Sequence, residues 1–271
     1  CPHLLAVLAA YTVSRMKQSQ FVFEVRDLWP QTFVDHGMMS ESNVIVVVLR
    51  WLEKFLYKKA SLIITVLPYM YEYLERIGIP KQKSTWIPNG IEPEAYKELA
   101  AELPSANKYH AFMYMGGHSN YQGLETILEA AKLIQNEGNE KVRFVLLGDG
   151  SEKKHLIQYA RDLGLLNVEF KDAVPRSALP FQMKEADVFI YHIKDLNVLQ
   201  YGISPNKLCD YLMSCRPVLC ATGARNNPVE EAKAGITIAP EDAFAMAEAV
   251  RQFITMSAEE KKEMGNRGRA Y

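Results

Sequence analysis

The segment Gly202-Ile203-Ser204-Pro205-Asn206-Lys207-Leu208-Cys209-Asp210-Tyr211 gathers residue types that can do chemistry together. Ser204 is expected to cap a helix, with Pro205 at the first helical position, where no amide donor is needed. The amides of the first turn, Asn206 among them, lack partners, and the helix dipole makes that end partly positive. A phosphate suits such a place, and Lys207 adds a full charge beside it. Asp210, three residues on, shares a helical face with Lys207 and can accept from ribose hydroxyls. A cation and a diol acceptor one turn apart point to a nucleotide diphosphate. The plainer reading of the same residues is a capped helix with an i,i+3 ion pair.

Three loops can join this helix. In Glu24-Val25-Arg26-Asp27-Leu28-Trp29-Pro30, Arg26 can stabilise phosphate or leaving-group charge, and Asp27 can act as a base or hold a substrate hydroxyl. The alternative is a structural Arg26–Asp27 pair beside a Trp-Pro turn. In Met115-Gly116-Gly117-His118, two glycines permit close backbone approach to a ligand, or simply a tight turn. Neither GxGxxG nor GxxxxGK[ST] is present, so the dinucleotide and P-loop fingerprints do not apply. His118 alone reads as a packed or solvated histidine rather than a catalyst. Gly148-Asp149-Gly150 suits a turn or a helix entry.

These loops need a scaffold that presents them together, and the chain alternates strands and helices in the way that gives a parallel sheet. Helices are expected over 4–16, 43–59, 68–77, 124–135, 151–163, 180–184 and 243–256. Strands are expected over 21–25, 61–66, 85–87, 112–115, 142–147, 168–170, 188–191, 218–221 and 237–238. The polar stretch with Pro93 and Pro104 divides the series, giving a domain over 1–92, a linker over 93–108 and a domain over 109–271. Asn89-Gly90 after Pro88 reads as a sharp turn and a hinge. In doubly wound sheets ligands bind at the carboxyl ends of the strands, which is where these loops fall.

Composition narrows the class. The 271 residues carry 31 Lys plus Arg against 32 Asp plus Glu, a net charge of −1 that gives no support for nucleic-acid binding. Cys1, Cys209, Cys215 and Cys220 form no CxxC pair, which favours a reducing compartment and argues against a metal site. No DxD, HExxH or GxSxG occurs. No apolar run approaches the ~20 residues of a membrane span. Residues 43–59, apolar first and then basic around Trp51, either lie on an anionic leaflet or pack on the sheet with solvated lysines.

Six segments in order, FVFEVRDLWP, WLEKFLYKKASLIITVLPYMYEYL, WIPNGIE, YMGGHSNYQGLETILEAAKLI, VRFVLLGDGSEKKHL and YGISPNKLCDYLMSCRPVL, resemble family 4 glycosyltransferases of the GT-B fold. Within that family they look like bacterial aminodeoxysugar (L-fucosamine-type) transferases of surface polysaccharide assembly, lipopolysaccharide or capsule. The resemblance implies two Rossmann-like domains facing across a cleft, the first of them lacking its opening strands here. It implies a cytoplasmic enzyme, peripheral on the inner face of the membrane. It also implies that the reaction is retaining transfer from a UDP-sugar to a lipid-linked or polysaccharide acceptor, without metal ion or other cofactor.

In the same resemblance Lys207 matches the pyrophosphate lysine and Asp210 the ribose carboxylate. Gly116 and Gly117 match the turn facing the diphosphate, and Val174 falls where the base is held by backbone. Ser204, Pro205 and Asn206 complete the donor-binding set, and Arg26, Asp27 and Lys207 are the catalytic candidates. The departures are Gly202 where many relatives carry glutamate, Gly117 for arginine, Gln122 for lysine and Arg26 for histidine. Two rivals share the fold: a non-hydrolysing UDP-sugar 2-epimerase, and a non-catalytic nucleotide-sugar-binding subunit.

Overall fold

The computed structural model describes residues 4–35, 37–97, 99 and 109–271. The chain divides into two compact units. One comprises the chain up to Asn89 with Leu196–Ser204 and Ala224–Asn226; the other comprises Gly90–Asp195, Pro205–Gly223 and Asn227–Tyr271. Most of the expected linker, 98 and 100–108, lies outside the described residues. Its described part, Pro93–Tyr96, is a 3-10 turn.

The first unit runs α1 (Leu4–Met16), β1 (Val22–Val25), α2 (Gln31–Asp35), α3 (Val44–Lys59), β2 (Leu62–Thr65), α4 (Met70–Arg76) and β3 (Ser84–Trp86). Its sheet is parallel, in the order β1-β2-β3, with Val25 opposite Thr65 and Thr65 opposite Trp86. Phe23, Val25 and Ile63 turn into the core against Leu56, Tyr57 and Leu74. Asn43 caps α3 by accepting from the Ile45 amide. Only the buried stripe Val46, Leu52, Glu53, Leu56 and Tyr57 of that helix faces the core. Val44, Ile45, Val47, Val48 and Trp51 are each more than half exposed.

The second unit continues with β4 (His110–Met115), α5 (Glu125–Asn136), β5 (Val142–Leu147), α6 (Lys153–Asp162), β6 (Val168–Lys171), α7 (Leu179–Met183) and β7 (Val188–His192). There follow α8 (Asn206–Met213), β8 (Val218–Ala221), α9 (Pro228–Glu231), β9 (Gly235–Ile238), α10 (Ala243–Thr255) and α11 (Ala258–Ala270). The strands form one parallel sheet in the order β6-β5-β4-β7-β8-β9. Strands β7 and β8 are buried at every residue, and β4 and β5 at all but one. Such unbroken apolar runs belong at the centre of a sheet covered on both faces. β6 and β9, at the edges, are only partly buried.

Helix α11 lies beyond the last helix read from the sequence. A capping box of Ser257 and Glu260 starts it. Two glycines let it approach closely: a Cβ on Gly265 would meet the Cys215 carbonyl oxygen at 2.0 Å.

One buried acid ties α3 to α4. Glu53 accepts from the Tyr57 hydroxyl at 3.0 Å and from the Tyr73 hydroxyl at 2.6 Å. Burial pushes its pKa up to about 7, against the pull of the two hydrogen bonds and Arg50. The folded protein therefore holds a proton that the unfolded chain releases near pH 4.5, so this stability is present at acid pH and is lost as pH rises toward 7. Glu53→Gln should remove that slope and stabilise the protein at pH 8 by up to about 3 kcal/mol. Urea midpoints at pH 5 and pH 8 for both proteins check this, and an unchanged slope in the variant counts against it.

Candidate functional site

The strand order of the second unit reverses between β4 and β7. Loops leaving such neighbours diverge, and the crevice at their carboxyl ends is where doubly wound sheets place ligands. The turn after β4 holds Gly116 and Gly117, the turn after β5 holds Gly148 and Gly150, and helix α8 follows β7 in the chain.

Glycines let the two turns interlock through backbone. Gly116 donates to the Leu147 carbonyl at 3.0 Å, and His118 donates to the Asp149 carbonyl at 2.8 Å. A Cβ on Gly148 (φ +152°) would lie 1.9 Å from the Gly116 oxygen. Lys153 extends the arrangement to β6, donating to the Gly148 carbonyl (2.8 Å), the Lys171 carbonyl (3.1 Å) and Asp172 (2.7 Å). Val174 follows on this loop, half-buried. His118 is fully buried between Tyr114 and Phe170, and neither ring nitrogen has a partner among the described residues. Burial, then the positive charge of Lys153, pushes it down to about 4, so the ring is neutral and packed.

Helix α8 is fastened to β4. The Tyr211 hydroxyl donates to the Met115 carbonyl at 2.9 Å and accepts from the Met115 amide at 2.8 Å. Its ring stacks on Phe189 at 4.5 Å. This clamp brings Lys207 to the Gly116 turn, where a Cβ on Gly116 (φ +148°) would sit 2.9 Å from Lys207 Nζ. The amine donates to the Tyr114 hydroxyl (2.7 Å) and to Gln122 Oε1 (2.6 Å), and burial pushes it down to about 7. Asp210 is buried and accepts from the Tyr96 hydroxyl at 2.6 Å and from Arg176 at 3.2 Å. The i,i+3 ion pair of the plainer sequence reading is therefore not formed.

Gly116, Gly117, Lys207 and Asp210 come together in the second unit, with Pro205 and Asn206 at the start of α8 and Asn206 exposed. Ser204 does not cap that helix. Pro205 holds the N-cap position, and the helix begins at Asn206. The Ser204 hydroxyl is instead taken by the Asn89 amide at 2.9 Å, and its carbonyl by the Asn89 side chain. Asn89 Oδ1 also accepts from Arg26 at 3.0 Å. Arg26 and Asp27 are exposed at the carboxyl end of β1, and Arg26 is held by Asn89 rather than by the structural pair with Asp27. Asn89, Tyr114 and Gln122 are the positioning residues that sequence reasoning missed as such; the turn signal Pro88-Asn89-Gly90 was the one pointer to the first.

Gly202, a departure from the resembled pattern, is fixed by its surroundings. Its φ is +94°, and a Cβ would meet Asn226 Oδ1 at 2.5 Å and Pro68 Cγ at 2.6 Å. Asn226 in turn accepts from the Ile203 amide at 2.6 Å. No side chain, glutamate included, fits there without moving these neighbours.

Residues 109–256 match the profile of the family described as glycosyl transferases group 1, and residues 6–95 that of glycosyltransferase family 4. "Probable glycosyltransferase WbjE" of Pseudomonas aeruginosa is 23% identical over 240 residues, which are 84% of this chain and 58% of that protein. The chain thus spans somewhat over half the length of that relative. The crystal structure of Anabaena HepE in complex with UDP and glucose superposes with a TM-score of 0.75 at 16% identity, covering 99% of this chain and 70% of the other. That of WaaG, a glycosyltransferase involved in lipopolysaccharide biosynthesis, gives 0.68 at 15%, covering 92% and 70%. At such identities the likeness shows the fold, which is GT-B, built from two Rossmann-like units.

Replacing Gly202 by alanine should cost about 1–3 kcal/mol, because both the backbone angle and the space are wrong for a side chain. Gly117, open on all sides within 4 Å, should tolerate alanine far better. Denaturant midpoints of the two variants test the contrast; equal values would contradict it.

Proposed function

From the premise that the chain belongs to the group 1 glycosyl transferases, we propose that it holds a UDP-sugar and takes part in retaining transfer of that sugar to a lipid-linked or polysaccharide acceptor. The observation carrying the reading is the placement of Lys207 and Asp210 on one helix at the crevice of the second unit, with Lys207 under the Gly116–Gly117 turn. Gly116 and Gly117 leave backbone room for a diphosphate. Lys207 stabilises the negative charge of the departing β-phosphate, with help from the N-terminal amides around Asn206. Asp210, already oriented by Tyr96 and Arg176, accepts from the ribose hydroxyls. Val174 offers backbone to the base. Ser204 and Pro205 lead into the helix. In the first unit, Arg26 and Asp27 remain the catalytic candidates. HepE, whose structure holds UDP and glucose, and WaaG, of lipopolysaccharide biosynthesis, support the donor and acceptor classes. We take the sugar to be an amino-deoxy one, and the transfer to need no metal ion.

Calorimetric titration of the chain with UDP tests the donor site. Lys207→Ala and Asp210→Ala should each weaken binding by about 1–3 kcal/mol, roughly five- to 150-fold, as charged hydrogen bonds are lost. Full-affinity binding in both variants would remove the site from contention. Transfer of radiolabelled sugar to a lipid-linked acceptor then distinguishes a transferase from an epimerase, which would exchange the C2 proton, and from a subunit that only binds.

The acceptor class brings a membrane surface into the reading, and α3 fits one. Its exposed Val44, Val47, Val48 and Trp51 recur at helical spacing, and Lys54, Lys58 and Lys59 continue the outer face. Apolar residues can enter the headgroup boundary while lysines meet anionic lipid. No helix among the described residues is long and apolar enough to cross a membrane. Vesicles containing phosphatidylglycerol should co-sediment the chain, and Val48→Asp with Trp51→Ala should lower the bound fraction severalfold. Equal binding of wild type and variant would dismiss α3 as the contact.

A further inference from the structure

Lys207 differs from an ordinary surface lysine in the partners it has. Its amine is enclosed between the Cα of Gly116, the ring of Tyr114 at 4.6 Å and the side-chain oxygens of Tyr114 and Gln122. Both oxygens are neutral acceptors. Among the described residues no carboxylate forms an ion pair with it. Gln122 is itself buried, and Tyr114 is fully so. The Tyr114 hydroxyl lies 2.8 Å from the Gly117 carbonyl and 3.0 Å from Gln122 Oε1, so it has acceptors for its own proton besides receiving one from the amine.

Gln122 is held from outside this group. His192 Nδ1 lies 2.6 Å from the Gln122 carbonyl, and its Nε2 accepts from the Glu241 amide at 3.1 Å, which places the ring proton on Nδ1. Gly123 follows in the left-handed region (φ +59°), where a Cβ would strike the same imidazole at 2.6 Å. The acceptor pair is therefore built into the fold.

An uncharged primary amine has two N–H bonds and one lone pair. Tyr114 and Gln122 accept both N–H bonds, and the lone pair remains for a proton. We propose that Tyr114 and Gln122 are positioning residues that hold Lys207 without a protein counter-ion, so that a ligand phosphate is its first anionic partner and binding draws a proton from solvent onto the amine. This rests on the donor-site reading above and deepens it: affinity for the nucleoside diphosphate becomes linked to pH through one lysine. The step is protonation alone, –NH2 to –NH3+, with no bond of the ligand made or broken.

The sign follows from burial, which holds the free amine down to about 7. A bound phosphate dianion raises that value. Above about pH 7 binding then takes up close to one proton, and affinity falls toward tenfold per pH unit. Below it, the amine is already charged and the uptake vanishes. The ionisable groups facing the amine are Tyr114 on β4 and His118 in the following turn. Near His118 are Asp149 and Lys153, and Asp210 stands one turn on along α8 itself. His118 is neutral across this range. The phosphate of UDP titrates near pH 6, so measurements above about pH 7.5 isolate the lysine.

The test is calorimetry of UDP binding to the 271-residue chain at about pH 8.5, in buffers of different ionisation enthalpy, which counts protons exchanged. Wild type should take up close to one proton per UDP. Gln122→Glu, by supplying a carboxylate, should charge Lys207 beforehand and reduce the uptake to near none, leaving an affinity almost flat with pH. Gln122→Met, a second variant of similar size, should keep the uptake but bind severalfold more weakly. UDP binding by wild type without proton uptake, undiminished uptake in Gln122→Glu, or wild-type affinity in Gln122→Met would each overturn the proposal while leaving the donor site standing. Absence of any UDP binding by the folded chain would overturn the donor-site reading itself, and this inference with it.

Discussion

The arrangement of the second unit depends on how closely its backbone can pack at the carboxyl ends of β4 and β5. The Gly116 oxygen occupies the place a Gly148 side chain would need, and the His118 oxygen occupies that of Gly150. Three residues at φ between +148° and +158° therefore sit where other amino acids are strained. That strain-free interlock lets the β4 turn drop against helix α8. Were the turns held apart by even one methyl group, Lys207 would lose the surface against which its amine rests.

The polar groups under this interlock are mostly uncharged, for one physical reason. Charge buried without a partner is expensive, and groups so placed give up their charge. His118 and His192 are both driven toward the neutral form by desolvation. Tyr211 spends its single hydroxyl on both backbone groups of Met115, so the clamp of α8 to β4 leaves no orphan donor. Asp210, also buried, is met by a phenol and a guanidinium. Lys207 meets only neutral oxygen acceptors among these groups, so under the proposed reading an anionic ligand is the first counter-ion it gains.

Much of this was legible in the sequence wherever the signal is local. Apolar runs gave the central strands, and glycine pairs gave the turns. The spacing of Lys207 and Asp210 placed both on α8. What escaped was non-local. Gln122 stood out in the sequence only as a departure from lysine, with no sign that its side chain would accept from Lys207, and Tyr114 reads as one more apolar strand residue. Ser204 followed the local rule for a helix cap, but Asn89, more than a hundred residues away, takes its hydroxyl. Helix α11 has low apolar content and two glycines, so periodicity missed it, although Ser257 and Glu260 carried a capping signal.

The same non-local logic explains why Gly202 and Asn89 belong together. The chain leaves the first unit after Asn89 and again after Ser204. Those two residues are hydrogen-bonded to each other through backbone and side chain alike. Gly202 lies two residues before the second exit, wedged against Pro68 and Asn226, and Ile203 is fixed to Asn226 on both its backbone groups. Arg26 is gathered into the same knot through Asn89. A carboxylate at position 202 would need room that this knot has filled. Glycine at 202 is thus matched by its neighbours Pro68 and Asn226, and a glutamate there would require both of those positions to change with it.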